Sequence, residues 1–322
     1  MKNLTYIASF AIFMLAASAQ GWSQQQGMFN MHWSNMMYMN PAYAGQSKQL
    51  NATLYHRQQW IGFKDAPITS ALSFDAPIAR TKISYGGEVY HDVAGPLRQT
   101  RLSGNLAYRT ALDANGTYIA LGLKFSSYML GIDLTYLDSV NTADQTYFED
   151  VRGLVQPNVG AGVMFYGEKY FIGLSSPNMH KMRFKKESNN GTNSFNASVP
   201  VHYLSGGFSD MYSQRMRFKV NGFLRASQGA PVSFGLNAEL IYYDTSRFRG
   251  KKDRFSVGTG YNFRERFYAY TNVRITNEIV VGYAAAIPAN WLIHHNAGSH
   301  ELMIQVRIPG ANYRNRSGAF TF

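Results

Sequence analysis

The chain has 322 residues, 31 Lys and Arg against 19 Asp and Glu, a formal charge of +12 and no cysteine. Only 16% of its residues are charged while 15% are aromatic, where an ordinary globular domain carries about 25% charged residues, so a disordered or a Lys/Glu-rich helical chain is excluded. Lacking cysteine, it has no disulfide scaffold, thiolate metal site, cysteine nucleophile or lipidated-cysteine anchor.

After Lys2 an apolar run leads into Ala17-Ser18-Ala19. A small-x-small site before Gln20 reads as an export signal over residues 1–19, and the run is shorter than the ~20 residues of a spanning helix. Residues 20–49 are expected to be a lead-in segment. Within it Pro41 has no amide donor, so Asn40-Pro41 should turn the chain into the next element from the periplasm.

From residue 50 onward, stretches of period-two alternation are separated by Gly, Pro, Asn and Asp turns. Leu102, Leu106 and Tyr108 alternate with Arg101, Ser103, Asn105 and Arg109. Ile119, Leu121, Leu123 and Phe125 stand opposite Tyr118, Ala120, Gly122 and Lys124. Met216, Phe218, Val220 and Leu224 alternate with Arg217, Lys219, Asn221 and Arg225. Strands are expected at 50–60, 66–76, 82–92, 98–110, 116–128, 157–167, 169–177, 200–209, 215–227, 231–244, 253–263, 267–276, 278–287 and 300–309.

One apolar and one polar face fit either a soluble sandwich or an outer-membrane barrel. Strands of about ten residues suit a tilted bilayer crossing better than a sandwich. Trp60, Tyr90, Tyr128, Tyr170, Tyr242, Tyr243 and Phe267 sit at expected strand ends, where interfacial girdles need aromatics. The fold class is therefore all-β: a transmembrane barrel of about 14 antiparallel strands over residues 50–309, with a polar C-terminal tail at 310–322. Counted from periplasmic termini, the short turns fall on one side. The long connections 131–156, 178–198 and 289–299 all fall on the other, extracellular side.

The expected lumen carries Arg57, Arg101, Arg109, Lys219, Arg217 and Arg225 with Glu88, Glu239 and Glu301. These could line a channel, grip a polypeptide, or form a salt-bridged plug. The 178–198 connection concentrates His180, Lys181, Arg183, Lys185 and Lys186, whose counter-ions would be lipopolysaccharide phosphates or an acidic protein. The 131–156 connection is acidic, with Asp133, Asp138, Asp144, Glu149 and Asp150. Export and barrel patterning speak against nucleic acid as the partner of the basic excess. G-x-S-x-G, Walker, Rossmann, HExxH and EF-hand patterns do not occur. The cluster His294, His295, His300 and Glu301 has ligand chemistry, but adjacent histidines on an extended chain point to opposite sides. No enzyme, cofactor or metal site is expected.

Residues 35–45, Asn-Met-Met-Tyr-Met-Asn-Pro-Ala-Tyr-Ala-Gly, are followed by Tyr55-His56-Arg57-Gln58-Gln59-Trp60-Ile61-Gly62 and by Ala66-Pro67-Ile68-Thr69. With the closing Ser299-His300-Glu301-Leu302-Met303-Ile304, this combination resembles the PorP/SprF family of the Bacteroidetes type IX secretion system over essentially the whole mature chain. Asn40, Pro41, Ala42, Tyr43, Gly45, Trp60 and Gly62 carry the motif. The resemblance implies an outer-membrane barrel, either in the core apparatus or as an accessory partner. The accessory role would bind the type B C-terminal domain of a large secreted adhesin and support its export or surface retention, alongside other type IX components. Trp60 is expected to anchor at the outer interface and Arg57 to organise the lumen or meet the partner. The competing function is a channel for small solutes, for which fourteen strands give room.

Overall fold

A computed structural model describes residues 27–47, 49–114, 116–132, 151–188, 191–244, 252–289, 291–294 and 296–308. Its strands are β1 (Leu50–Gln58), β2 (Ile68–Pro77), β3 (Ile83–Ala94), β4 (Leu97–Ala111), β5 (Tyr118–Ile132), β6 (Val151–Tyr166), β7 (Tyr170–Asn178), β8 (Met182–Ser188) and β9 (Gly191–Ser198). There follow β10 (Val201–Met211), β11 (Met216–Ser227), β12 (Ala230–Asp244), β13 (Lys252–Asn262), β14 (Arg266–Arg274), β15 (Ile279–Pro288) and β16 (Ser299–Ile308). Fourteen of them close an antiparallel barrel in which β7 neighbours β10, and β8 and β9 form a separate two-stranded sheet between them. The barrel agrees with the alternation. The β8–β9 hairpin is an addition, in a stretch expected only as a connection. Its sequence, from Met182 to Ser198, sets only Met182 and Phe184, then Phe195 and Ala197, at period two among polar residues, too short a pattern to announce a strand.

Closure pairs Leu50 with Ile308 and Gln58 with His300. Thus β1 begins and β16 ends at one end, the terminus end, and the connections β1–β2, β5–β6, β7–β10 and β15–β16 gather at the other, the loop end. β5 and β6 run past their expected bounds, pairing Leu130 with Leu154 and, after a register shift, Ile132 with Val151. The acidic connection residues Asp133, Asp138, Asp144, Glu149 and Asp150, the signal segment 1–19, His295 and the tail 310–322 lie outside the described residues.

Side chains sort by strand parity. Leu54, Leu72, Leu102, Leu106, Leu121, Leu123, Leu174, Leu204, Leu224, Leu236, Val257 and Leu302 point out and are exposed. In water such a belt would be an aggregation surface; against acyl chains it is the stable face. The opposite parity is buried and mostly polar or small: Thr53, Ser73, Asn105, Lys124, Asn158, Ser205, Asn221, Asn237 and Gln305. Three of the aromatics expected in an interfacial girdle are on this inner face instead, because Tyr90, Tyr128 and Tyr243 are buried. Their parity follows Arg101 and Lys219, and Tyr90 and Tyr128 lie inside β3 and β5 rather than at their ends. Tyr170 and Phe267 do point outward and are exposed.

Candidate functional site

The polar lumen is filled by the chain's own N-terminal segment. Residues 27–47 carry three 3-10 turns, His32–Ser34, Met36–Tyr38 and Pro41–Tyr43. Two asparagines start turns: Asn35 Oδ1 accepts from Met37 N at 3.0 Å and Asn40 Oδ1 from Ala42 N at 3.0 Å. Both are the expected N-cap arrangement, with Pro41 at the first helical position where no donor is missed. Five methionines between residues 28 and 39 are all buried and fill the irregular space between turns and wall.

Such a segment has no strand ladder to satisfy its backbone, so the wall must do so. Glu301 accepts from Asn30 N at 2.7 Å and from Met31 N at 2.9 Å. Arg57 and Arg266 both donate to Met28 O, the latter at 2.7 Å. Tyr55 OH donates to Met31 O at 3.3 Å, Gln305 to Ser34 O at 3.3 Å, and Ser175 Oγ to Met39 O at 2.8 Å. Asp75 accepts from Gly45 N at 2.8 Å, and Arg109 donates to Gly45 O at 3.3 Å. Eight inward polar residues on six strands, from β1 to β16, thus hold the segment.

The motif Asn40-Pro41-Ala42-Tyr43 sits in a notch of glycines. A Cβ on Gly122 would lie 2.1 Å from Ala42 N, and one on Gly162 2.2 Å from Asn40 Oδ1. The Asn40 amide donates across the notch to Val163 O at 3.1 Å. Gly45 has φ +70°, and a Cβ there would fall 2.3 Å from Ser84 Oγ, so both conformation and space require glycine. The expectation that Asn40-Pro41 turns the chain into the barrel at its rim is corrected: these residues lie inside the lumen. The segment starts at Gly27, beside Thr69 and Tyr90 near the loop end, and reaches the terminus end at Gly45–Gln46, beside Pro77 and Ser84.

Deeper charges pair among themselves. Glu88 lies 2.6 Å from Arg101 and 3.8 Å from Lys124, all three buried. The Arg101 guanidinium is flanked by Tyr38, Tyr90 and Tyr128 at 4.9, 4.6 and 5.7 Å from the ring centres, a cation–π cage that compensates lost hydration. Arg225 meets Glu265 at 3.0 Å near the loop end, and Arg217 lies over Tyr243 at 5.9 Å. Lys219 faces Glu239 across β11 and β12. All the expected lumen residues therefore face inward, but Arg57, Arg109 and Glu301 are occupied with residues 27–47.

At the loop end, Trp60 N donates to Ser299 Oγ at 3.3 Å, Ile61 N to Gly298 O at 2.9 Å and Ala297 N to Ile61 O at 2.8 Å. The β1–β2 connection, including Gly62, is so clasped to the β15–β16 connection. Lys181 is exposed just before the hairpin, and Arg183, Lys185 and Lys186 are on β8. His300 and Glu301 part to opposite faces, His300 with Tyr283 outside and Glu301 with the N-terminal segment inside. Among the described residues no group of three or more potential metal ligands occurs. The plugging residues Met28–Ser34, and the wall partners Asp75, Ser175 and Arg266, were not singled out by sequence reasoning. Its one available signal was the run of methionines and asparagines in a segment without strand periodicity.

The family model for type IX secretion system membrane protein PorP/SprF matches residues 22–306, and the chain belongs to that family. No curated protein matches the chain. Among solved structures it is similar to a Pseudomonas aeruginosa FadL homologue, with 10% identity over 89% of this chain and 99% of that one and a TM-score of 0.48. It is also similar to the Pseudomonas putida toluene transporter TodX, with 9% identity over 91% and 96% of the two chains and a TM-score of 0.48. A third is the Acinetobacter baumannii outer membrane protein Omp33, with 9% identity over 81% and 97% and a TM-score of 0.42.

Proposed function

We propose that this PorP/SprF-family outer-membrane barrel is an accessory partner of type IX secretion that binds the C-terminal domain of a secreted adhesin and supports its export or retention at the cell surface. The observation that carries this reading is the occupied lumen. With residues 27–47 bonded to the wall along its length, the chain's own segment takes up the lumen, and the work falls to the rim. The loop end collects the longest connections and the β8–β9 hairpin, which adds Lys181, Arg183, Lys185 and Lys186 to that rim. With the strand termini periplasmic, the hairpin faces the medium, where its charge steers an acidic partner domain and its strands offer edges for pairing. Lipopolysaccharide phosphates are the natural counter-ions when no partner is bound.

Replacing residues 179–199 by a short Gly-Ser turn tests the reading. The barrel should still assemble, while surface retention of the secreted protein falls. Undiminished retention would refute rim binding. A second reading, a channel for small solutes, is favoured by a cleft at the terminus end that the N-terminal segment leaves open. It predicts ion conductance of the purified barrel in planar bilayers without any partner.

A further inference from the structure

On the outer face of β1 the apolar belt is short. Leu50, Ala52 and Leu54 point out, and the next outward residues toward the loop end are His56 and Gln58, both exposed. At a rise of about 3.3 Å per residue and a tilt of about 40°, Leu50 to Leu54 cover only ~10 Å of height, against the ~25 Å of an outer-membrane apolar band. On β12 the outward residues are apolar from Val232 to Tyr242, which by the same geometry covers about 25 Å. The polar gap continues across the neighbouring strands. Register sets His56 beside Ser70 on β2, Ser70 beside His91 on β3, His91 beside Thr100 on β4, and His300 on β16 beside Gln58. This row lies inside the belt rather than above it, because Ile68 and Val93, paired on the loop-end side of Ser70 and His91, are again apolar and Ile68 is exposed.

Polar groups that face acyl chains are costly unless hydrogen-bonded, and the chain satisfies these only in part. Nδ1 of His56 shares a hydrogen bond with Ser70 Oγ at 3.0 Å, Nδ1 of His91 with Thr100 Oγ1 at 2.9 Å, and Nδ1 of His300 with Tyr283 OH. Each imidazole is left with Nε2, and Gln58 with its amide, without a hydrogen bond among the described residues.

Two copies inserted the same way in one membrane are related by a twofold axis along its normal, so each residue meets its counterpart at its own depth. Only groups that both donate and accept can then pair with their own copies. Hydroxyls and primary amides do so, and each Nε2 can take either role, since the hydroxyl on Nδ1 can turn to donate or accept. The patch holds no carboxylate and no ammonium, and Arg98 stands beyond it at the loop end of β4. A lipid phosphate would call for cations in its place.

We propose that His56, Gln58, Ser70, His91 and His300 form the contact through which a second copy of this chain docks side by side in the outer membrane. The polar groups hydrogen-bond across the twofold axis, as polar side chains do between membrane helices, and the exposed Leu54, Leu72 and Leu302 pack around them.

The chain has no cysteine, so Gln58→Cys places one reporter in the patch and Leu236→Cys, on the exposed face of β12, one outside it. Native outer membranes carrying two differently tagged copies of either variant are treated with a flexible bismaleimide. A product of twice the chain mass that carries both tags, strong for Gln58→Cys and at background for Leu236→Cys, supports the contact. Adding His56→Leu and His91→Leu makes the face more apolar and should lower the yield about tenfold. No two-tag product from Gln58→Cys, equal product from both positions, a yield unchanged by the two leucines, or coupling only to a different protein overturns the proposal. Should Gln58→Cys fail to show the heat-modifiable gel shift of a folded barrel, Ile68→Cys, its apolar neighbour on β2, gives the same readout.

Discussion

Adding one methyl group at Gly122 should drive the N-terminal segment from its seat. A Cβ there would stand 2.1 Å from Ala42 N and 2.4 Å from the Pro41 carbonyl carbon, more than 1 Å inside contact distance, and backbone on both sides leaves no rotamer to escape into. Relief requires the 40–42 turn to move away from β5. Overpacking of this kind costs about 1–3 kcal/mol. Moving the turn also strains or breaks Asn40 Nδ2 to Val163 O at 3.1 Å and Ser175 Oγ to Met39 O at 2.8 Å, each contributing about 0.5–1.5 kcal/mol. The seated state therefore loses about 2–6 kcal/mol. The natural chain has no cysteine, so Ala42→Cys gives a single reporter whose labelling by a charged maleimide reads the displaced population. With Gly122→Ala, labelling of the folded barrel should rise at least about tenfold. Gly104→Ala is the matched control, since nothing lies within 4 Å of a Cβ there. Equal labelling in the Gly122→Ala and Gly104→Ala backgrounds would refute the notch as the seat of the motif.

Other consequences follow from the same contacts. Glu301→Gln removes one of the two oxygens that accept from Asn30 and Met31 and should lower the barrel's stability by about 1.5–3 kcal/mol, read as an earlier heat-modification midpoint; an unchanged midpoint would count against the latch. Glu88→Gln strands Arg101 and Lys124 and should cost about 3–5 kcal/mol, partly recovered by adding Lys124→Met; no recovery would show that the charges are not coupled. Gly45→Ala combines a left-handed φ of +70° with a clash on Ser84. Adding Ser84→Gly should relieve only the clash, leaving about 1–2 kcal/mol of backbone cost, and full rescue would contradict the conformational part. Leu121→Arg, on the exposed outer face of β5, should cost about 2–4 kcal/mol in a bilayer, against little change if that face met water.

The barrel was legible because lipid and lumen impose opposite chemistry on alternate residues, so Leu121 and Leu123 against Ala120 and Lys124 fix a register with no tertiary information. What stayed hidden was the reason for the polar lumen. Arg57, Arg109 and Glu301 read equally well as channel lining, partner grip or internal plug, because their partners are backbone groups of residues 28–46, which alternation cannot place. Tyr90, Tyr128 and Tyr243 were read by position along the strand when parity was the stronger constraint. The motif Asn40-Pro41-Ala42-Tyr43 was readable as a turn, but its seat between Gly122 and Gly162 is a long-range contact written in what those two residues lack. Of the loop-end basic residues, only the charge and its clustering could be read. The hairpin that carries Arg183, Lys185 and Lys186 has only Met182 and Phe184 on one strand and Phe195 and Ala197 on the other at period two, too short a pattern to set it apart from a connection.

Rim binding around a filled lumen is tested most directly by affinity purification of the tagged protein from its native outer membrane in mild detergent, with mass spectrometry of what stays bound. A stoichiometric C-terminal domain of a large secreted protein, lost when residues 179–199 are replaced, is the expected result. A solitary barrel that conducts ions in planar bilayers would contradict it.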